Sequence, residues 1–171
     1  LANSIWDDTA LVSVMWANNE TGVVSPVKEI AAICRAKGVA FHTDAVQAVG
    51  KLPVNVREAG AQLLSLSGHK IHAPKGVGAL YIKRGTRFRP FFVGGHQEHG
   101  RRAGTENVPG IVALGKACEL AAAYLQDEVT RVRALRDRLE REILARVPDS
   151  FLNGGGADRG RRAGGLFAAG R

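Results

Sequence analysis

The sequence predicts an α/β fold built on a mostly parallel sheet. Three observations carry this. Short, almost wholly apolar runs end abruptly at polar, turn-forming clusters. A strongly signalled helix lies between the first of these runs and the next. The links are short, and strand, helix, strand with short links is the signature of α/β architecture.

Residues 10–17 (ALVSVMWA) form the first run, closed by Asn18, Asn19, Glu20, Thr21 and Gly22. A run with little alternation reads as a strand buried on both faces, as in a parallel sheet. Ser25 then reads as an N-cap and Pro26 as the first helical residue. Val27, Ile30, Ala31 and Cys34 share one helical face, and Gly38 is a natural stop. Residues 39–43 (VAFHT) are the second strand, ending directly at Asp44. After a looser segment, residues 63–67 (LLSLS) are the third, ending at Gly68, His69 and Lys70. Residues 77–83 (VGALYIK) are the fourth. Residues 91–107 are rich in glycine and charge and read as a functional loop. Asn107 is placed to cap a helix with Pro109 in its first turn. From Ile111 to Val147 apolar residues recur at helical spacing, giving one long helix or two with a break near residues 125–127. Pro148 ends it, and Gly110, Gly115 and the Ala-rich centre favour packing on a globular body over a coiled coil. The tail, rich in Gly, Ala and Arg, has too little apolar surface to order itself. The expected division is 1–108, 109–148 and 149–171.

Composition bounds the function. Of 171 residues, 45% are hydrophobic and 23% charged, which excludes disorder throughout. No continuous apolar run approaches the roughly 20 residues of a membrane span, so no membrane association is expected. Two cysteines, Cys34 and Cys118, are too few for a disulfide scaffold, and a cytoplasmic setting is the default. The net charge is +8, with basic residues concentrated between Lys70 and Arg102. No nucleic-acid module accompanies them, so they read as a solvated face or a site for a phosphorylated small molecule. His69 and His72, and His96 and His99, are three apart, but no cysteine lies near them and their surroundings are not helical. No metal site is assigned.

The chemistry sits at strand ends, where open α/β sheets bind ligands. Asn19 follows the first strand, Asp44 and Gln47 the second, and Ser67, Gly68, His69 and Lys70 the third. A lysine there can form a Schiff base with a carbonyl cofactor. Pyridoxal phosphate needs such a lysine and a carboxylate against its pyridine nitrogen. Ser67 and His69 offer donors for its phosphate, Gly68 allows close backbone approach, and Asn19 and Gln47 suit the ring hydroxyl. Singly, each has a plainer role: a solvated lysine, a helix-capping Asp44, a turn-forming Asn19. The combination points to the cofactor.

Four segments carry a resemblance: VSVMWANNETG from Val12, FHTDAVQAVGK from Phe41, LSLSGHKIHAPKGVGALYI from Leu64 and GGHQEHGRRAGTENV from Gly94. In this order they closely resemble the cysteine desulfurases, pyridoxal-phosphate enzymes of the class V aminotransferase group, and the last segment looks most like the nitrogen-fixation type. The resemblance implies a fold type I transferase, with residues 1–108 in its cofactor-binding large domain and the long helical segment leading to a small domain. It implies Lys70 as the catalytic lysine, Asp44 as the pyridinium partner, and Gln47 and Asn19 at the ring oxygen. Ser67 and His69 fall in the phosphate cradle, and Thr105 reaches the phosphate of the neighbouring subunit of a homodimer. The implied reaction converts L-cysteine to L-alanine and passes sulfur, as a persulfide, to an acceptor or scaffold protein for iron–sulfur or nitrogenase clusters. The family's nucleophilic cysteine has no counterpart here, so the chain reads as the central part of a desulfurase and as inactive alone. A selenocysteine lyase or other class V relative is the alternative within the enzymes, and a basic binding module the alternative outside them.

Overall fold

The computed structural model describes residues 1–154. The part of the Gly/Arg-rich tail beyond Gly154 lies outside the described residues. The sheet is formed by β1 (Leu11–Met15), β2 (Ala40–Asp44), β3 (Leu63–Ser67) and β4 (Gly78–Ile82), in that spatial order. β1, β2 and β3 run parallel, and β4 is antiparallel to β3. The strands fall within the expected runs.

α1 (Val27–Ala36) crosses between β1 and β2 and buries Val27, Ile30, Ala31 and Cys34, the expected face. Its start differs from expectation. Pro26 itself is the N-cap and no side chain caps the helix, because Ser25 is held by its backbone to Trp16 and Val27. The core under α1 includes Val12, Phe41 and Leu64 from β1, β2 and β3. Phe41 is fully buried, worth roughly 1.5–3 kcal/mol by apolar burial. Thr43, also fully buried, donates its hydroxyl to the Val14 carbonyl at 3.0 Å.

β1 is not buried on both faces as expected: it and β2 carry buried and more exposed residues in alternation. In β1, Val12 is buried while Leu11 and Ser13 are exposed. In β2, Phe41 and Thr43 are buried while Ala40, His42 and Asp44 are only half-buried. α1 covers one face, and the other carries a polar row.

A short helix α2 (Val56–Ala59) interrupts the segment expected to be looser. Asn55 caps it, its side-chain oxygen accepting from the Arg57 and Glu58 amides, while its Nδ2 donates to Glu58. This asparagine–glutamate spacing is a capping signature. α3 (Gln97–Gly100) is a single kinked turn inside the Gly-rich loop, with Glu98 and His99 at positive φ.

The long helix is continuous. α4 (Val108–Asp127) passes through a π-helical turn (Glu128–Val132) into α5 (Arg133–Arg146), so a wide turn replaces the expected break. Asn107 accepts a hydrogen bond from the Gly110 amide, the expected cap. Gly110, Leu114 and Ala117 are the buried residues of α4. Leu114 and Ala117 form a second core with Ile71 and Ala73. Contrary to the expectation from continuous apolar runs, the 39-residue helical stretch is long and apolar enough by composition to cross a membrane, with a mean hydropathy of 1.4 in its most apolar window. Alanines raise that value, and one face of α4 packs on the globular core instead.

Candidate active site

The parallel register fixes where the chemistry gathers. Met15 pairs with Asp44, and Asp44 with Ser65, so the carboxyl ends of β1, β2 and β3 lie on one edge of the sheet. Ser67 pairs with Gly78, so β4 begins at this edge. Asn19, Asp44, Gln47, Ser67, Gly68, His69 and Lys70 therefore occupy adjacent strand ends and the turns that follow them.

Asn18, not Asn19, makes the turn after β1. Its Oδ1 accepts from the Glu20 and Thr21 amides and the Thr21 hydroxyl. Asn19 is exposed. Asp44 Oδ1 accepts from the Val46 amide at 2.9 Å, which fixes the carboxylate and leaves Oδ2 without a hydrogen bond among the described residues. Gln47 lies half-buried in the same turn.

After β3 the chain enters a tight 3-10 turn (Gly68–Ile71). The Ser67 hydroxyl and His69 Nδ1 are hydrogen-bonded at 2.8 Å, a polar pair beside the exposed Lys70. Gly68 has a structural use in the loop itself. Its amide donates to the Val77 carbonyl and its carbonyl accepts from the Ala73 amide, so its backbone closes the loop. A Cβ there would stand 3.0 Å from Ala73 Cβ, Val77 Cγ1 and the Val77 carbonyl oxygen. Glycine is needed for close packing of the lysine loop on itself.

Lys70 lines a cavity of 640 Å³ between this loop and the long helix. Lys51, Glu128 and Arg131 also line it. Burial pushes the Lys51 ammonium below its ordinary range; Glu128 opposes the shift and Lys70 adds to it. Lys51 is a residue that motif reasoning did not single out, because only the fold brings the π-helical turn against it. Thr105 is exposed on the Gly-rich loop and is not among the residues lining the cavity with Lys70. The Arg102 guanidinium donates to the Thr105 carbonyl at 3.4 Å.

Neither cysteine is poised for attack. Cys34 is fully buried, and burial pushes its thiol up. Cys118 is half-buried against the second core and does not line the cavity.

The chain is similar to known proteins in sequence and in fold. The aminotransferase class-V family matches residues 1–162. A cysteine desulfurase of Gluconacetobacter diazotrophicus is 61% identical over 146 residues, covering 85% of this chain and 36% of that protein. The cysteine desulfurase NifS of Azotobacter vinelandii is 58% identical over 153 residues, covering 90% of this chain and 38% of that protein. The solved structure of a NifS-like protein from Rickettsia africae superposes with a TM-score of 0.85 at 32% identity, covering 91% of this chain and 42% of that one. The chain thus spans less than two-fifths of the length of these curated relatives. By the extent of the match in sequence and fold, it belongs to the class-V aminotransferase family.

Proposed function

We propose that this chain is the cofactor-anchoring part of a cysteine desulfurase dependent on pyridoxal phosphate. The whole protein would convert L-cysteine to L-alanine and pass the sulfur, as a persulfide, to an acceptor or scaffold protein for iron–sulfur or nitrogenase cluster assembly. The observation carrying this reading is the placement of Asp44 and Lys70 after neighbouring parallel strands, on one sheet edge.

The residues fit the cofactor. Among the described residues a fixed carboxylate keeps one oxygen without a hydrogen bond, and a serine–histidine pair precedes the lysine with no acid in residues 67–76. When bound, the cofactor supplies an electron sink for the amino-bearing carbon of the substrate. Lys70 Nζ would hold it covalently. Asp44 would hold the proton at the ring nitrogen, since an adjacent carboxylate favours the charged form of a base. Asn19 and Gln47 would donate to the ring oxygen. Ser67 and His69 would bind the phosphate, with Gly68 shaping the loop that presents them. Thr105 would reach the phosphate held by a second subunit, which makes a homodimer the working unit. Reduced cysteines accord with a cytoplasmic setting.

The test uses the full-length protein carrying this chain. Lys70→Ala should abolish covalent cofactor retention and turnover. Asp44→Ala should retain attachment but lose most turnover. Normal turnover in the Asp44 variant would refute the reading.

A further inference from the structure

We propose that Ser13, His42 and Ser65 form a hydrogen-bonded staple across β1, β2 and β3 that positions the Asp44 carboxylate for the cofactor's ring nitrogen; the inference rests on the role given to Asp44 above. His42 Nδ1 lies 2.7 Å from the Ser13 hydroxyl, and its Nε2 lies 3.2 Å from the Ser65 hydroxyl. One imidazole thus ties its own strand to both neighbours. Side chains two apart on a strand share a face, so His42 and Asp44 stand on the same side of β2.

The staple acts where the hydrophobic pattern discriminates weakly. A one-residue slip of β2 would turn Phe41 out of the core and Asp44 to the wrong face, so burial already forbids it. A two-residue slip keeps the faces and moves Asp44 by roughly 6–7 Å along the edge. That slip breaks both imidazole contacts. Histidine suits the position because a neutral ring offers one donor and one acceptor at opposite corners, and hydroxyls can complement either tautomer. Burial favours the neutral ring, against the pull of Asp44. A neutral His42 does not compete for the Asp44 charge, which stays directed to the cofactor.

The test titrates pyridoxal phosphate into the full-length apoprotein and reads the dissociation constant, with far-UV circular dichroism as the check on folding. Ser13→Ala and His42→Asn should each weaken binding roughly tenfold, within the range typical of coupled neighbours. Ser13→Thr, which keeps the hydroxyl, should bind as the parent does. In an Asp44→Asn background both losses should shrink to under about twofold, because the group being positioned has lost its charge. Undiminished losses in that background would show a purely structural role, and parent-like affinity in both single variants would overturn the staple outright. Parent-like affinity in Asp44→Asn alone would overturn the Asp44 reading, and the staple with it.

Discussion

Substituting Gly68 tests the geometry of the lysine loop without touching any group assigned to chemistry. An added methyl would stand 3.0 Å from Ala73 Cβ, Val77 Cγ1 and the Val77 carbonyl oxygen. The first two are buried or half-buried side chains and the third is backbone, so relief requires the loop to shift. Overpacking of this kind costs about 1–3 kcal/mol. The strain should appear locally first, because the Gly68 amide donates to Val77 at 2.9 Å and its carbonyl accepts from Ala73 at 3.0 Å. Amide hydrogen exchange on the full-length apoprotein reads this directly. Gly68→Ala should speed exchange at Ala73 by roughly 5- to 150-fold, the equivalent of that cost if exchange follows local opening. Gly115 is the internal control: a Cβ there meets nothing within 4 Å, inside helix α4. Gly115→Ala should stabilise by about 0.4–1 kcal/mol. Unchanged exchange at Ala73 in Gly68→Ala would refute the packing argument.

Three further outcomes follow from the site and its surroundings. His42 has a folded pKa below its unfolded one, so the unfolded chain binds the proton first as pH falls; its contribution is complete above about pH 6.5 and lost as pH drops through the lower folded value. Thermal melts of parent and His42→Asn between pH 7.5 and 5 should therefore show a steeper acid loss in the parent, and parallel profiles would contradict this. Thr105→Ala in the full-length protein should raise the cofactor's dissociation constant without preventing attachment to Lys70; unchanged affinity would remove Thr105 from the site. The 171-residue chain alone, given pyridoxal phosphate, L-cysteine and a reductant, should release no sulfide above a Lys70→Ala control, since Cys34 is buried and Cys118 is packed on the second core. Sulfide that depends on Lys70 and disappears on alkylating Cys118 would show that the nucleophile had been misplaced.

The strands were legible because each is a short apolar run stopped by a polar cluster, and β3 has the expected residues 63–67 as its bounds. The strand-end residues were legible for the same reason: parallel order brings Asp44 and the Lys70 loop to one edge. What escaped depended on partners distant in sequence. Ser13 and Ser65 are 29 and 23 residues from His42, and no local period signals that contact. Lys51 has its pKa lowered by burial, with Glu128 of a helical turn distant in sequence opposing the shift. The four residues of α2 are too few to show a period, although the Asn55 and Glu58 spacing was there to be read. Burial of β1 on both faces was inferred from its lack of alternation, yet Ser13 already marks a polar side that α1 does not cover.

Lys70, and not Lys51 on the same cavity, is the lysine proposed to hold the cofactor. Lys51 is the natural rival, since a lysine whose pKa is lowered by burial is the better nucleophile. Borohydride reduction of the loaded full-length protein fixes the cofactor to the lysine that carries it, and peptide mapping by mass spectrometry locates the adduct. The adduct should lie on the peptide containing Lys70 and be lost in Lys70→Ala. An adduct on Lys51, or one that survives Lys70→Ala at full yield, would contradict it.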